Sequence, residues 1–301
     1  MRGNCAHASR HSWSNSGRTR NGLNTKCTKN TKVRRDRVVH KDVMRAVGLD
    51  LGSRTTKVAL VEDGKLVDFR IADTGTDPLA RARELLSSLI PNPQSLIPTI
   101  ATGYGRHLAR ERLGFPVITE IKAHALGASR LFPSCRTVID IGGQDSKVIR
   151  VENGRQVNFE MNDRCAAGTG RFLEVMAMTL GYTVAEFGAE ALKGREPVSI
   201  SSMCTVFSES EVISLIARGL DRHSIALGLH QSIVSRLVAM VGRVGAESEV
   251  VLSGGVAHNP CIRSLLERSL GLSLSVPDEP QAVGALGAAL SAANGAKGGL
   301  V

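Results

Sequence analysis

Apolar and polar positions along the chain repeat one 21-residue pattern, first from Val47 to Val67 and again from Thr137 to Val157. Each copy has an apolar strand, an Asp-x-Gly turn, a second strand and a tight turn, at Asp63-Gly64 in the first copy and at Asn153-Gly154 in the second. These dipeptides favour type I′ turns, because both central residues of that turn need a positive φ. Each copy therefore predicts an antiparallel β-hairpin.

The two copies align without a gap, and eight of their 21 positions are identical. An internal duplication explains this agreement better than chance does. The identical pairs are Asp50/Asp140, Gly52/Gly142, Lys57/Lys147, Val58/Val148, Val61/Val151, Glu62/Glu152, Gly64/Gly154 and Val67/Val157. Because strands and helices alternate after each copy, the sequence predicts an α/β fold of two related lobes with a ligand cleft between them.

Capping residues place further elements. Asp77 and Pro78 provide an N-cap and a first-turn proline for a helix that ends near Leu89. Ser208 and Glu211 have capping-box spacing, which predicts a helix beginning after Ser208. Further helices are predicted after Cys165, from Ser224 to Val244, from Pro260 to Leu270 and after Pro280, and strands from Pro98 to Thr102 and from Glu249 to Gly255.

The final helix is rich in Ala and Gly, which predicts close packing against the rest of the protein. From these elements we divide the chain into a leader and two lobes. The expected bounds are 1–43 for the leader, 44–135 for the first lobe, 136–275 for the second lobe and 276–301 for a C-terminal helix that packs back on the first lobe.

Composition indicates a globular protein with an uneven distribution of charge. The chain has 301 residues, of which 42% are hydrophobic, and no run of about 20 apolar residues that would predict a membrane span. The net charge is +10, but the first 43 residues hold 11 lysines and arginines against Asp36 and Asp42. The rest of the chain is nearly neutral and only 3% of all residues are aromatic, which argues against a nucleic-acid binder.

The leader has no apolar periodicity and is rich in Ser, Asn, Thr and Arg, which predicts disorder. It also lacks the apolar segment of a secretory signal, so we expect a cytoplasmic protein. Met44 stands three residues before the first strand. A translation start at Met44 is our preferred interpretation, and a genuine basic tail or a transit-like peptide are the alternatives.

The Asp-x-Gly turn of each copy has the chemistry of a phosphate site. Glycine permits close backbone approach, hydroxyl and N–H groups donate hydrogen bonds, and Lys57 supplies a cation. A single such turn would indicate only a turn, whereas two aligned copies favour a ligand. We expect Asp50 to hold Mg²⁺ through water, Asp140 to contact the metal or water, and Gln144 to orient the attacking water.

The loop Gly254-Gly255 follows a buried strand and is suited to lie against an adenosine. Together with the phosphate turns it gives a predicted set of nucleotide contacts. That set is Gly52, Ser53, Arg54, Thr55, Thr56, Lys57, Gly142, Gly143, Gln144, Asp145, Gly254, Gly255 and Gln281.

Paired phosphate turns with a later Gly-Gly loop resemble the superfamily of actin, sugar kinases and heat-shock chaperone ATPases, which has a two-lobed, ribonuclease H-like fold. Four motifs further resemble the activator, or component A, of the 2-hydroxyacyl-CoA dehydratases, in the family shared with the ATPase subunits of benzoyl-CoA reductase. The motifs are TGYGR (Thr102–Arg106), IDIGGQDSKVI (Ile139–Ile149), NDRCAAGTGRFLEVMA (Asn162–Ala177) and SSMCTVFSESEVIS (Ser201–Ser214). The resemblance runs from about Arg45 to the C-terminus.

Four cysteines lie outside the leader: Cys135, Cys165, Cys204 and Cys261. From the residues alone, Cys165 and Cys204 are better explained as ordinary buried thiols than as metal ligands. Two thiolates cannot complete a [4Fe–4S] cluster, whereas a symmetric homodimer supplies four. The resemblance implies that Cys165 and Cys204 of two subunits bind one shared cluster, and Cys135 and Cys261 match no ligand position.

The resemblance implies an ATPase coupled to electron transfer. A reduced ferredoxin or flavodoxin would load the cluster, and ATP binding and hydrolysis would drive the electron to a dehydratase or reductase component that acts on an acyl-CoA. Two alternatives stay open: a small-molecule kinase that uses the same cleft, and an actin-like regulatory protein that binds ATP without catalysis.

His124 and His258 lie near motifs, but a lone histidine is seldom functional, so neither is assigned a role.

Overall fold

Two β-sheets, each built on one copy of the repeat, organise the structure. A computed structural model describes residues 43–90, 97–201 and 204–298, all within the unit Asp42–Val301. The predicted leader lies outside the described residues, except for Val43.

The first sheet contains the first repeat copy. Its strands are β1 (Arg45–Leu51), β2 (Thr55–Glu62), β3 (Lys65–Asp73) and β4 (Thr99–Thr102), in the order β3-β2-β1-β4. β1 and β2 are antiparallel with Asp50 opposite Lys57, while β4 runs parallel to β1. Asp63 and Gly64 have φ values of 48° and 76°, which confirms the predicted turn.

The second sheet repeats this plan. Its strands are β5 (Thr137–Ile141), β6 (Ser146–Glu152), β7 (Arg155–Asn162), β8 (Val250–Ser253) and β9 (Leu274–Ser275), in the order β7-β6-β5-β8-β9. Asp140 lies opposite Lys147, the register that Asp50 and Lys57 have in the first sheet. The predicted two-lobed α/β fold with a hairpin in each lobe is confirmed.

Nine α-helices surround the sheets in the described part of the chain. They are α1 (Pro78–Leu89), α2 (Arg106–Leu113), α3 (Glu120–Leu131), α4 (Gly170–Leu180), α5 (Val184–Ala191), α6 (Thr205–Ala217), α7 (Arg222–Val244), α8 (Pro260–Leu270) and α9 (Val283–Gly298). Asp77 caps α1 through the amide N–H of Ala80, as its sequence predicts. Short 3₁₀ turns cover Gly255–His258 and Pro280–Ala282.

The predicted start of α6 after Ser208 is wrong. The helix begins at Thr205 with Cys204 as its N-cap residue, and Ser208 is buried inside the helix. Glu211 does reach back toward the N-terminal side, but its carboxylate accepts the backbone N–H of Ser201, at 2.9 and 3.1 Å. The capping-box spacing was therefore a coincidence within the helix.

Helix α9 packs in direct backbone contact with β1 and α3, which confirms the close packing predicted from its small residues. A Cβ atom on Gly48 of β1 would lie 1.9 Å from the carbonyl oxygen of Ala285. One on Gly287 would lie 1.8 Å from the carbonyl oxygen of Ala123. The bounds of the two lobes stay a prediction.

Helix α7 is the one described helix that is long and apolar enough to cross a membrane. More than half of its apolar stretch is buried inside the protein. Ile225, Leu229, Ile233 and Leu237 are buried in the core of the second lobe, packed with α4 and α8. Its composition is therefore explained by its position as a core helix.

Candidate nucleotide site and cysteine loops

A cleft of about 660 Å³ is lined by residues of both sheets. It brings together Asp50, Gly52, Ser53, Arg54, Thr55, Lys57, Asp140, Gly142, Gly143, Gln144, Asp145, Gly254, Gly255 and Gln281. The remaining predicted contact, Thr56, is buried in β2, with its hydroxyl 2.9 Å from that of Thr74. Thr74 in turn donates to the carbonyl oxygen of Gly52, so this pair supports the first phosphate turn from behind.

Each repeat copy places an aspartate beside a lysine in the cleft. The ammonium of Lys57 lies 3.0 Å from Oδ2 of Asp50, and that of Lys147 lies 3.2 Å from Oδ2 of Asp140. The identical strand register explains this equivalence, because both pairs stand opposite each other at the end of a hairpin. The duplicated sequence thus gives two pairs, each of a carboxylate and an ammonium group, that line the same cleft.

Lys147 is the centre of the more buried pair. Its ammonium also lies 2.8 Å from Oδ2 of Asp145 and 3.0 Å from Oε2 of Glu120. Burial by itself lowers the pKa of Lys147, but Asp140, Glu120 and Asp145 outweigh this effect and raise it. Lys147 is therefore a fixed cation at the base of the cleft. Lys147 occupies the repeat position equivalent to Lys57, and this equivalence is the sequence signal that could have predicted it as a cleft residue.

His124 of α3 contacts the second aspartate. Its Nδ1 lies 2.9 Å from the carbonyl oxygen of Glu120, and its Nε2 lies 3.2 Å from Oδ1 of Asp140. Both ring nitrogens face oxygens, so the doubly protonated ring satisfies both contacts. Burial lowers the pKa of His124, but the charge and hydrogen bond of Asp140 raise it more. No pattern in the sequence assigns His124 a role, because only the fold brings it next to Asp140.

Asp140 is held as a carboxylate. Burial raises its pKa, yet His124 and Lys147 lower it well below the usual value, helped by a 2.9 Å hydrogen bond from the Ser253 hydroxyl. On the other side, a Cβ on Gly284 would lie 3.3 Å from Oδ2 of Asp50 and 3.0 Å from Cε1 of His124. His124 therefore stands close to both repeat aspartates.

Glu120 is a cleft residue that sequence reasoning missed. It lies outside the repeat, at the first position of α3 behind its N-cap Thr119. Burial raises its pKa first of all, Lys147 opposes this, and the nearby charges of Asp50 and Asp145 raise it further. A carboxylate with a raised pKa is a better proton acceptor than an exposed one.

The Gly-Gly loop closes one end of the cleft. Gly254 has a φ of 86°, and its N–H donates to the carbonyl oxygen of Pro280 at 3.0 Å. A Cβ there would lie 2.3 Å from the carbonyl oxygen of Ile141, so only glycine fits against the second phosphate strand. A Cβ on Gly255 would lie 3.4 Å from Nε2 of Gln281, which places these two predicted contacts side by side.

The two predicted ligand cysteines lie at the beginnings of helices that pack together. Cys165 is half-buried in the loop between β7 and α4, and Cys204 is the exposed N-cap residue of α6. Helices α4 and α6 are in contact. The described residues contain no cluster of three or more His, Cys, Asp or Glu side chains that could hold a metal ion. Cys165 and Cys204 therefore precede two helices that are in contact.

Cys135 and Cys261 differ from this pair because both are buried in apolar clusters. Burial raises the pKa of Cys135 to about 11 and that of Cys261 to about 12. A thiol with so high a pKa is a poor ligand and a poor nucleophile. Their surroundings agree with a structural role.

The second phosphate turn is hydrogen-bonded to the helix that follows Cys165. The carbonyl oxygen of Gly142 accepts the N–H of Gly170 at 2.9 Å, and that of Gly143 accepts the N–H of Arg171 at 2.8 Å. These N–H groups belong to the first turn of α4, where a helix has no internal acceptors for them. The second phosphate turn therefore caps α4.

Comparisons with known proteins identify relatives of this chain. The (R)-2-hydroxyglutaryl-CoA dehydratase activating ATPase of Acidaminococcus fermentans is 45% identical over 250 residues, covering 82% of this chain and 96% of that protein. The crystal structure of component A of that organism's dehydratase superposes with a TM-score of 0.79, at 42% identity, over 84% of this chain and 99% of that one.

A second solved structure contains a nucleotide analogue. It is the activator of the 2-hydroxyisocaproyl-CoA dehydratase from Clostridium difficile with bound ADPNP, with a TM-score of 0.76, 41% identity and coverage of 84% and 96%. A ROK family glucokinase from Streptomyces griseus, at 14% identity and a TM-score of 0.53, shares the fold alone and covers 83% and 100% of the two chains. The predicted actin- and sugar-kinase-like fold is confirmed.

A family model covers most of the chain. The sequence pattern of the BadF/BadG/BcrA/BcrD ATPase family matches residues 47–292, which include both phosphate turns, Cys165 and Cys204. The chain belongs to the BadF/BadG/BcrA/BcrD ATPase family.

Proposed function

We propose that this protein is an ATP-driven activator that delivers a low-potential electron from an iron–sulfur cluster to an acyl-CoA dehydratase. The observation that carries the proposal is the pair of backbone hydrogen bonds from α4 to Gly142 and Gly143. They join the ATP cleft to the helix beside Cys165. Relatives named as activators of such dehydratases support the class of partner.

The cleft residues fit a nucleotide with its magnesium ion. Asp50 and Asp140 provide the carboxylate oxygens that Mg²⁺ prefers, and Lys57 and Lys147 are cations for phosphate oxygens. The lowered pKa of Asp140 keeps this ligand ionised. When bound, Mg²⁺ would neutralise charge on the phosphates. The adenosine end would lie against Gly254, Gly255 and Gln281, which close the other end of the cleft.

Hydrolysis needs a positioned water, and two residues serve this purpose in the proposed mechanism. Gln144 lies in the second phosphate turn and orients the water through its amide. Glu120, with its raised pKa, accepts the proton of the attacking water. Lys147 contacts Glu120 and Asp140 together, so it fixes the distance between the proton acceptor and the metal-binding carboxylate.

The cysteines fit half of a cluster. Cys165 and Cys204 supply two thiolates, so a [4Fe–4S] cluster would require the same two from a second copy related by twofold symmetry. Cys204 suits this role because it is exposed. The cluster, when bound, supplies a one-electron carrier of low potential. We therefore propose a homodimer with one shared cluster.

Coupling follows from the contacts of the second phosphate turn. A nucleotide can shift a conformational equilibrium only if its contacts differ between the two states. Loss of the γ-phosphate changes the contacts of Gly142 and Gly143, and the same residues hold the first turn of α4. ATP hydrolysis thus moves the helix that begins five residues after Cys165.

The remaining parts of the proposal concern partners and domains. A reduced ferredoxin or flavodoxin would load the cluster, and a dehydratase, or a related reductase acting on an aryl-CoA, would receive the electron. We keep the division into a first lobe (44–135), a second lobe (136–275) and a returning C-terminal segment (276–301).

Anaerobic purification tests the proposed function. We expect a brown dimeric protein with about four irons per dimer, because each chain provides two of the four thiolates. Adding ATP, Mg²⁺ and a reduced electron donor should then activate an acyl-CoA dehydratase, with hydrolysis of the ATP. A colourless protein that takes up no iron after reconstitution contradicts the proposal.

A further inference from the structure

Asn162 is the last residue of β7, and its side chain is fully engaged with the cysteine loop that follows. Its Nδ2 donates to the carbonyl oxygens of Cys165 and Ala167, both at 2.9 Å. An amide nitrogen has two hydrogens, so these bonds use both of them. Asn162 therefore fixes the main chain at Cys165 itself and two residues beyond it.

Helix α7 supports the same contact from behind. Nη2 of Arg236 lies 3.4 Å from Oδ1 of Asn162, so the arginine orients the amide with its nitrogen toward the loop. The stem of Arg236 also contacts the loop: a Cβ on Gly168 would lie 3.3 Å from its Cδ. Gly168 has a φ of 86°, which lets the chain turn tightly over this stem.

The far end of the loop is tied to the phosphate turn. Gly170 and Arg171 donate their N–H groups to the carbonyl oxygens of Gly142 and Gly143. Residues 163–169 are thus anchored at one end by Asn162 of β7 and at the other end by the turn between β5 and β6. Cys165 lies between two anchors that both belong to the second sheet.

The equivalent strand of the first sheet, β3, shows that the strand pairing does not need this asparagine. Asn162 stands opposite Ser146, and the equivalent residue Ala72 stands opposite Thr56. β3 and β7 otherwise correspond. Asp68 of β3 and Asn158 of β7 each accept the N–H of the phenylalanine that follows, at 2.8 and 2.9 Å. An asparagine stands at this position only in β7, the strand that leads into the loop of Cys165.

We propose that Asn162 is a positioning residue that presets the main chain of Cys165 for metal binding, with Arg236 fixing the orientation of its amide. The inference rests on the proposed function only in taking the Cys165 thiolate as a cluster ligand. Asn162 itself touches no ligand in this role. It shapes the loop before a metal arrives, so its effect is measurable in protein that contains no cluster.

The test is the rate at which iodoacetamide alkylates each cysteine in the reduced, iron-free full-length chain, followed by peptide mass spectrometry. Asn162→Ala places in β7 the residue that β3 has at the equivalent register. Because two hydrogen bonds that close the loop are lost, we expect Cys165 to react about tenfold faster, with Cys204 unchanged within about twofold. Asn158→Ala, four residues earlier on the same strand, is the matched control and should leave both rates unchanged.

Equal Cys165 rates in Asn162→Ala and the wild-type protein overturn the inference, and so does an equal acceleration of Cys204, which indicates general loosening. If Asn162→Ala does not fold, Arg236→Met keeps an apolar stem and removes only the guanidinium contact, and the same acceleration confined to Cys165 is expected. Iron content is measured in parallel. A wild-type chain that binds no iron contradicts the proposed function and leaves the alkylation result standing.

Discussion

The N–H of Gly170 donates to the carbonyl oxygen of Gly142 at 2.9 Å, so the first residue of α4 is bonded to the phosphate turn of the second repeat copy. Arg171 makes the corresponding bond to Gly143 at 2.8 Å. In most helices water or a side chain satisfies these first-turn donors. Here the second phosphate turn does, so we expect movement of this turn to reach α4 without an intervening side chain.

Arg171→Pro tests this transmission. Proline lacks the N–H that bonds to Gly143 but is tolerated in the first turn of a helix, and Gly170 before it has no Cβ to clash. We expect ATP hydrolysis to continue at nearly the wild-type rate, whereas electron transfer per ATP falls about fivefold for one lost hydrogen bond. Arg171→Ala retains the N–H and should behave as the wild type. Equal coupling ratios in the two variants would show that this bond transmits nothing.

Cys165→Ser separates the cluster from the nucleotide site. A serine oxygen is a poor substitute for a thiolate ligand, so we expect the iron content to fall to nearly zero. ATP affinity, measured by calorimetry, should stay within about twofold, because Cys165 does not line the cleft. Cys261→Ala, at a buried thiol whose pKa is raised to about 12, is the control and should keep its iron. Full iron content in Cys165→Ser excludes this residue as a ligand.

Asp140→Asn should have the opposite effect. The substitution removes the charge that contacts Lys147 and His124, and it weakens the proposed magnesium site. We expect ATP hydrolysis to fall about 100-fold, a typical loss for a group that stabilises charge in a transition state. Iron content should be that of the wild type. Lys147 keeps Asp145 and Glu120 as partners, so the variant should still fold.

How much of this site could be predicted depended on whether a residue lies inside the repeat. Asp50, Asp140 and their glycines were found because duplication makes a local pattern specific. Lys147 belonged to the same pattern, and its repeat identity was available. Glu120 and His124 lie on α3, and only the packing of that helix into the cleft brings them to Asp140. No spacing in the sequence encodes such a long-range contact.

The start of α6 shows a different limit. Ser208 and Glu211 have the spacing of a capping box, but local spacing cannot tell a helix start from a helix interior. The carboxylate of Glu211 accepts the backbone N–H of Ser201, ten residues earlier in the chain. The spacing therefore occurs in the interior of a helix that begins three residues earlier, at Thr205.

Gly287→Ala tests the contact between α9 and α3. The added Cβ would lie 1.8 Å from the carbonyl oxygen of Ala123, which is backbone and cannot rotate away. We expect a loss of about 3 kcal/mol in the free energy of unfolding, measured with urea. Gly295→Ala lies on the same helix with no atom within 4 Å of the new Cβ. It should raise stability by about 0.5 to 1 kcal/mol, because alanine favours a helix. Similar losses in both variants would contradict the packing described above.

His230 predicts a pH dependence of stability away from the cleft's carboxylates. Burial lowers the pKa of His230 from 6.5 to about 4, and the neutral ring donates from Nδ1 to the carbonyl oxygen of Ala226 and accepts from Asn259 at Nε2. The unfolded chain therefore binds a proton below pH 6.5 that the folded chain refuses until about pH 4, so stability falls as the pH falls through this window. Between pH 7 and 5 the loss is about 2 kcal/mol. The free energy of unfolding is measured with urea at pH 7 and at pH 5 in the wild-type chain and in His230→Gln. The decrease between the two pH values should be about 2 kcal/mol smaller in His230→Gln. Equal decreases would mean that His230 is protonated in the folded protein at pH 5.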